Sequence, residues 1–301
     1  MKISAPQLIL DAQAQLGEGP VWDAARNCLW WVDILTGRLH RYLPETGQDN
    51  FVELGQPLGC AAACRSGKFI LGMKNGLAIL RQAPDDALGL DTVQLDWVAQ
   101  PELHLPENRF NDGKCGPDGR FLAGTMDMKE KDPSGALYSV SPDGSLKTLK
   151  TGVRISNGLT WSADYKTFYY IDTPTREIVA YDYDLTSGEI ANPRVAIRIP
   201  DGLGWPDGMT SDLEGRLWVA MWGGAAITVW DAAKGELLEK INFPAKNITS
   251  CAFGGSQQDT LYVTSARIGL DAADLAAFPA SGGLFRVQTA VQGQPTFVFQ
   301  D

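Results

Sequence analysis

One phrase occurs six times along this chain, and it constrains the fold more than any other feature. A turn of small residues leads into a β-rich run, a second turn follows, and the next run is rich in Tyr, Phe or Val. These second strands begin with LWWVDILTGRLHRY at residue 29, FILGMKNGLAIL at 69, FLAGTMD at 121, FYYIDTPTREIVAYDYD at 168, LWVAMWGGAAITVWD at 217 and LYVTSARIG at 261. The intervals of 40 to 52 residues match a four-stranded propeller blade of roughly 40 to 50 residues. A blade needs a neighbour on each side to bury its faces, so the six repeats predict one all-β domain over residues 1–301, a six-bladed β-propeller with four-stranded blades. Helical periodicity is scarce, and only DAADLAAF at 271–278 reads as a short helix.

Composition narrows the functions open to such a fold. Lys and Arg total 26 against 36 for Asp and Glu, a formal charge of −10, so a polyanion such as nucleic acid is repelled in most orientations. The opening MKISAPQLIL lacks the pattern of a secretory leader, and no apolar run approaches the length needed to span a bilayer. A cytoplasmic address with no membrane partner is expected, with a monomer favoured. The five cysteines, Cys28, Cys60, Cys64, Cys115 and Cys251, are scattered and read as buried thiols. With only His40 and His104 and no G-x-S-x-G, histidine-rich metal chemistry and a serine triad are poorly supplied.

In a propeller the first strand of each blade lines the central channel. Counting back ten or eleven residues from the second strands reaches Glu18 in LGEGPVWD, Asn111 in RFNDGK, Asn157 in SNGLTW and Asp207 in WPDGMTSD. Each dipeptide with glycine is also an ordinary turn signal, and Asp112 and Lys114 read most simply as local turn chemistry. Asp33, Asp172 and Asp231 read as turn-forming acids at strand ends. Four oxygen-bearing side chains at one phase of four blades nevertheless point at one axis. Two carboxylates buried there are costly unless a cation lies among them. Oxygen donors without imidazole or thiol suit Ca²⁺, Mg²⁺ or Mn²⁺, with Zn²⁺ or Fe²⁺ also admissible. The nine tryptophans are expected mostly between blades, Trp205 beside Pro206 and Asp207 being the candidate for the channel mouth.

The segments LGEGPVWD, NRFNDGKCGPDGRFLAGTMD, ISNGLTWSADYKTFYYIDT, WPDGMTSDLEGRLWVAMWGG and GGLFRV resemble, in order and spacing, the family of senescence marker protein, gluconolactonase and luciferin-regenerating enzyme. The resemblance covers essentially the whole chain. It implies one divalent ion held by Glu18, Asn157 and Asp207, with hydrolysis of sugar aldonolactones to aldonic acids, Asp207 serving as general base. It further implies that Arg109 and Asn111 hold the sugar hydroxyls. Some members carry a substrate-contacting acid shortly after GTM, at the position of Lys129; Asp127 either takes over that contact or caps its own loop. Two other readings compete: a phosphotriesterase-like hydrolase, and a non-catalytic calcium-binding propeller. The stretch 267–283 is long enough to form a lid over one rim or simply to pack there.

Overall fold

The fold is that of a computed structural model, which describes residues 2–82, 84–88 and 93–301. Six four-stranded antiparallel sheets form the blades of a six-bladed β-propeller. The inner strands of blades I to VI are Gly17–Asp23, Leu58–Ala63, Asn108–Cys115, Ser156–Trp161, Trp205–Ser211 and Asn247–Gly254. The second strands are Cys28–Asp33, Phe69–Met73, Phe121–Asp127, Thr167–Asp172, Arg216–Trp222 and Thr260–Ala266, each starting within a residue of the start predicted by the repeat.

Blades I to V each use four consecutive strands. Blade VI takes its outer strand from the other end of the chain: Gln7–Leu10 pairs antiparallel with Leu284–Gln288. This pairing closes the ring non-covalently, a feature the repeat did not disclose because the closing strand lies outside all six phrases.

No single central core exists; six apolar clusters lie between neighbouring blades. Blade I shows how strand periodicity produces this. Along its second strand Cys28, Trp30 and Val32 pack toward blade II, while Leu29 and Trp31 pack toward blade VI. Alternate side chains point to opposite faces and both faces are covered, hence the continuous apolar run LWWV. Trp22, Trp161 and Trp218 are core, as expected, and all five cysteines are buried and free. Among the described residues helix is confined to Ala272–Ala277, capped by the Asp271 carboxylate, and to two short turns that the periodicity did not signal, Pro84–Ala87 and the 3-10 turn Thr173–Thr175. Among the described residues no helix is long and apolar enough to cross a membrane.

Each inner strand begins where its second strand ends, as in Gly17↔Asp33 and Ser156↔Asp172. The connections from second to third strand therefore share one face, the upper face, with the starts of the inner strands. The lower face carries the C-terminal tail, which crosses the channel end. Its backbone bonds Ser211 and Leu213 of blade V, Ala63 of blade II and Gly119 of blade III, and the Gln294 amide bonds the Trp161 carbonyl of blade IV.

Candidate functional site

All six inner strands carry the same irregularity near their upper ends: one extra residue relative to the second strand. Such a bulge re-aims side chains locally. The four candidates lie at it. Glu18 and Asn157 are the last regularly paired residues before the extra one, and Asn111 and Asp207 fall inside it. The X-Gly dipeptides are thus not turns. A Cβ on Gly158 would sit 2.8 Å from the Asp207 carbonyl oxygen, and one on Gly208 would strike the Ser250 side chain of blade VI. Glycine is required there because neighbouring inner strands approach closely around the axis. Asp112 and Lys114 likewise lie on the inner strand of blade III, so the turn reading for them does not hold.

Glu18, Arg109, Asn111, Asp112, Asn157 and Asp207 are all buried. Burial and the neighbouring Asp112 raise the Glu18 carboxyl. Burial, Glu18 and Asp112 together push Asp207 well above the ordinary carboxylate range. Glu18 and Asp207 are close enough for each to act on the other: the charge of Glu18 helps raise Asp207, while Asp207 opposes the rise at Glu18. The backbone N–H of Gly19 donates to Glu18 Oε2 at 2.8 Å.

A hydrogen-bond chain orders the remaining groups across three blades. Arg109 Nη1 donates to Asn111 Oδ1 at 2.5 Å. Asn111 Nδ2 donates to the Ser156 carbonyl at 2.7 Å and to Asn157 Oδ1 at 3.2 Å. Asn157 Nδ2 donates to Thr173 Oγ1 at 2.9 Å, and that hydroxyl donates to the Pro206 carbonyl, one residue before Asp207. With Nδ2 committed to Thr173, Asn157 presents its amide oxygen as the acceptor end. Thr173 escaped the sequence reading, which stopped at Asp172; its only signal was its place directly after a second strand, on the upper face.

Two buried carboxylates that act on one another, with an oriented amide on the neighbouring blade and no sulfur or imidazole, are the donor types a hard divalent cation takes. Among the described residues no three acidic, histidine or cysteine side chains converge as a ligand set; the oxygen donor ordered beside the two acids is the Asn157 amide. The residues present fit such an ion. Asp112 acts on the pair through its field: its Oδ1 accepts the Gly113 N–H at 2.7 Å.

Around this centre the expectations diverge. Burial draws the Arg109 guanidinium down to about 10 against the opposing pull of Glu18, Glu130 and Asp207. Asp127 accepts backbone N–H groups from Lys129, Lys131 and Asp132, the loop-capping alternative for this residue. Lys129 reaches outward to Glu107 at 3.3 Å. The acid of that loop whose charge acts on Arg109 is the exposed Glu130, held with φ 57°; sequence reasoning passed over it because it stands one position beyond Lys129. Trp205 is 43% exposed at the upper end of blade V, with the Arg176 guanidinium 4.7 Å above its ring. Asp231 caps a lower-face turn, as expected; Asp33 and Asp172 stand at strand ends but form no turn with their side chains, accepting instead from the backbone of the segment that leads into their blade's inner strand. The 267–283 stretch lies on the upper face, pinned by Arg267 to the Ser281 carbonyl, Asn247 to the Ile268 carbonyl and Lys246 to Asp274. These ties favour a fixed rim.

Comparison with known proteins bears on the same residues. Residues 16–267 match the family model described as the SMP-30/Gluconolactonase/LRE-like region. The YvrE protein of Bacillus subtilis (strain 168), which provisionally bears the name sugar lactone lactonase, is 38% identical over 283 residues, 94% of each chain. Regucalcin of Pongo abelii is 38% identical over 287 residues, 93% of each chain. A solved calcium-binding protein, regucalcin, from Agrobacterium tumefaciens strain C58 superposes with a TM-score of 0.91 at 29% identity, covering 99% of this chain and 98% of that one.

Proposed function

This chain belongs to the SMP-30/gluconolactonase/LRE-like family, and from that premise we propose that it is a sugar lactonase, hydrolysing aldonolactones to aldonic acids with one divalent cation held by Glu18, Asn157 and Asp207. The observation that carries this reading is the burial of two mutually interacting carboxylates, Glu18 and Asp207, at the upper ends of two inner strands. When bound, the ion supplies positive charge where negative charge develops on the lactone carbonyl oxygen.

The chain's own residues supply the rest. Asp207 is the general base: its carboxylate would help hold the ion while standing beside Glu18 at the channel mouth, placed to take a proton from the attacking water. The water oxygen bonds to the carbonyl carbon as Asp207 takes its proton, the ring C–O bond breaks, and Asp207 returns that proton to the departing ring oxygen, which becomes a hydroxyl. Arg109 uses one nitrogen, Nη1, within the protein; its other N–H groups face sugar hydroxyls or the product carboxylate. Asn111 keeps Arg109 and Asn157 in register and offers a remaining Oδ1 lone pair to a hydroxyl. Arg109 and Asn111, hydrogen-bonded to one another, form a polar wall. That wall favours a polyhydroxylated substrate over the apolar ester groups of a phosphotriester.

The test is initial-rate hydrolysis of glucono-, galactono-, xylono- and arabinono-lactones by chelator-stripped protein resupplied with single ions, beside Asp207→Ala. Ion-dependent turnover that vanishes in the variant is expected. Stoichiometric ion with no rate above spontaneous opening would replace this reading with that of a calcium-binding propeller.

A further inference from the structure

Two residues beyond Asp112 on the inner strand of blade III stands Lys114, a residue the proposed reaction does not use. Its side chain crosses the channel: Nζ donates at 2.8 Å to the carbonyl of Met209, on the inner strand of blade V two residues past Asp207. Below it the axis opens into a small cavity of about 60 Å³, lined by Lys114, Thr160, Trp161 and Thr210 among others and closed by the tail residues Gln294–Phe297. No carboxylate lines that cavity. Burial draws the Lys114 ammonium down, and Asp112 and Glu18 act on it in the opposite sense and so favour its charged form; Asp207 belongs to the same acidic group through its interaction with Glu18 and Asp112. Lys114 is therefore a fixed positive charge set beneath an acidic site, attached to the strand that carries Asp207.

We propose that Lys114 is a cationic floor that sets which ionic charge the site accepts, a positioning residue acting through the field. The inference rests on the reading that Glu18, Asn157 and Asp207 hold a cation. Three acids opposed only by Arg109 attract an ion more strongly the higher its charge. A fixed ammonium below them repels a trivalent ion half as much again as a divalent one, since Coulomb energy is proportional to the ion's charge. Lys114 thus holds the site to divalent ions and keeps them exchangeable.

The experiment compares Ca²⁺ and Tb³⁺ binding by calorimetry, with tryptophan-sensitised Tb³⁺ luminescence as a second readout, in the wild type, Lys114→Met and Lys114→Arg. In Lys114→Met both ions are expected to bind more tightly, and the Tb³⁺-to-Ca²⁺ affinity ratio to rise by about tenfold or more; Lys114→Arg is expected to restore the ratio. Lys114→Gln, which keeps an N–H donor for the channel, serves as the neutral variant if Lys114→Met does not fold. A folded neutral variant with an unchanged ratio would reduce Lys114 to a strut between blades. A wild type that binds neither ion would instead sink the cation reading itself, a separable outcome.

Discussion

Thr173 is the residue that separates holding the site from doing its chemistry. It touches neither Glu18 nor Asp207, yet its hydroxyl joins the Asn157 amide to the Pro206 carbonyl. Thr173→Val keeps the shape and removes both bonds, so a loss of cation affinity of about tenfold is expected, in line with other outer-sphere substitutions. Calorimetric titration with Ca²⁺ checks it, and unchanged affinity would show that Asn157 orients without help. The acids themselves predict a pH dependence. Folding raises the Glu18 carboxyl to about 8 and raises Asp207 too. The ion-free folded chain therefore binds more protons than the unfolded one between the ordinary carboxylate range and about pH 8. Its stability is greatest below that range and falls as pH rises through it. Cation binding displaces those protons, so affinity rises over the same interval. Thermal midpoints of chelated and Ca²⁺-loaded protein are expected to diverge from pH 5 to pH 8; a constant gap would mean that the acids are already ionised at pH 5.

The inner strand with its extra residue is the element on which the site depends. A regular strand would alternate its side chains strictly between the two blade interfaces; the bulge interrupts that alternation near the channel mouth in all six blades. Only four of the six carry the candidate donors, so the backbone device is general and the chemistry is particular. Gly158→Ala tests the closeness this demands. The added methyl meets the Asp207 carbonyl and the Ile171 side chain, which is expected to cost about 1–3 kcal/mol of stability and to weaken cation binding by moving the strand of blade V. Urea denaturation with and without Ca²⁺ measures both effects. An affinity unaffected by a destabilising Gly158→Ala would mean that the strand yields without moving its carboxylate.

At the scale of the whole molecule, closure rests on strand Gln7–Leu10 against Leu284–Gln288, with the C-terminal tail holding blades together from below. Removing residues 2–10 leaves blade VI with three strands. A single cooperative transition is expected to persist at a midpoint roughly 5–10 °C lower, given about 2–4 °C per kcal/mol in large domains; differential scanning calorimetry decides, and an unchanged midpoint would show that the ring does not need its closing strand. Neither closing device was legible in the chain, because Gln7–Leu10 and the tail lack the repeat and acquire meaning only from what they meet. The number of blades was legible, because each must bury two faces and so repeats its apolar pattern. The phase of Glu18, Asn111, Asn157 and Asp207 was legible for the same reason, since equivalent strand positions face one axis. What the sequence could not determine was the cast around them. Asp112 and Lys114 looked like turn residues until the strand was seen to run through them. Thr173 and Glu130 stand on connections whose path over the upper face depends on packing between blades. Local pattern settles which face a strand residue takes, but distances across a channel are decided only when six blades close.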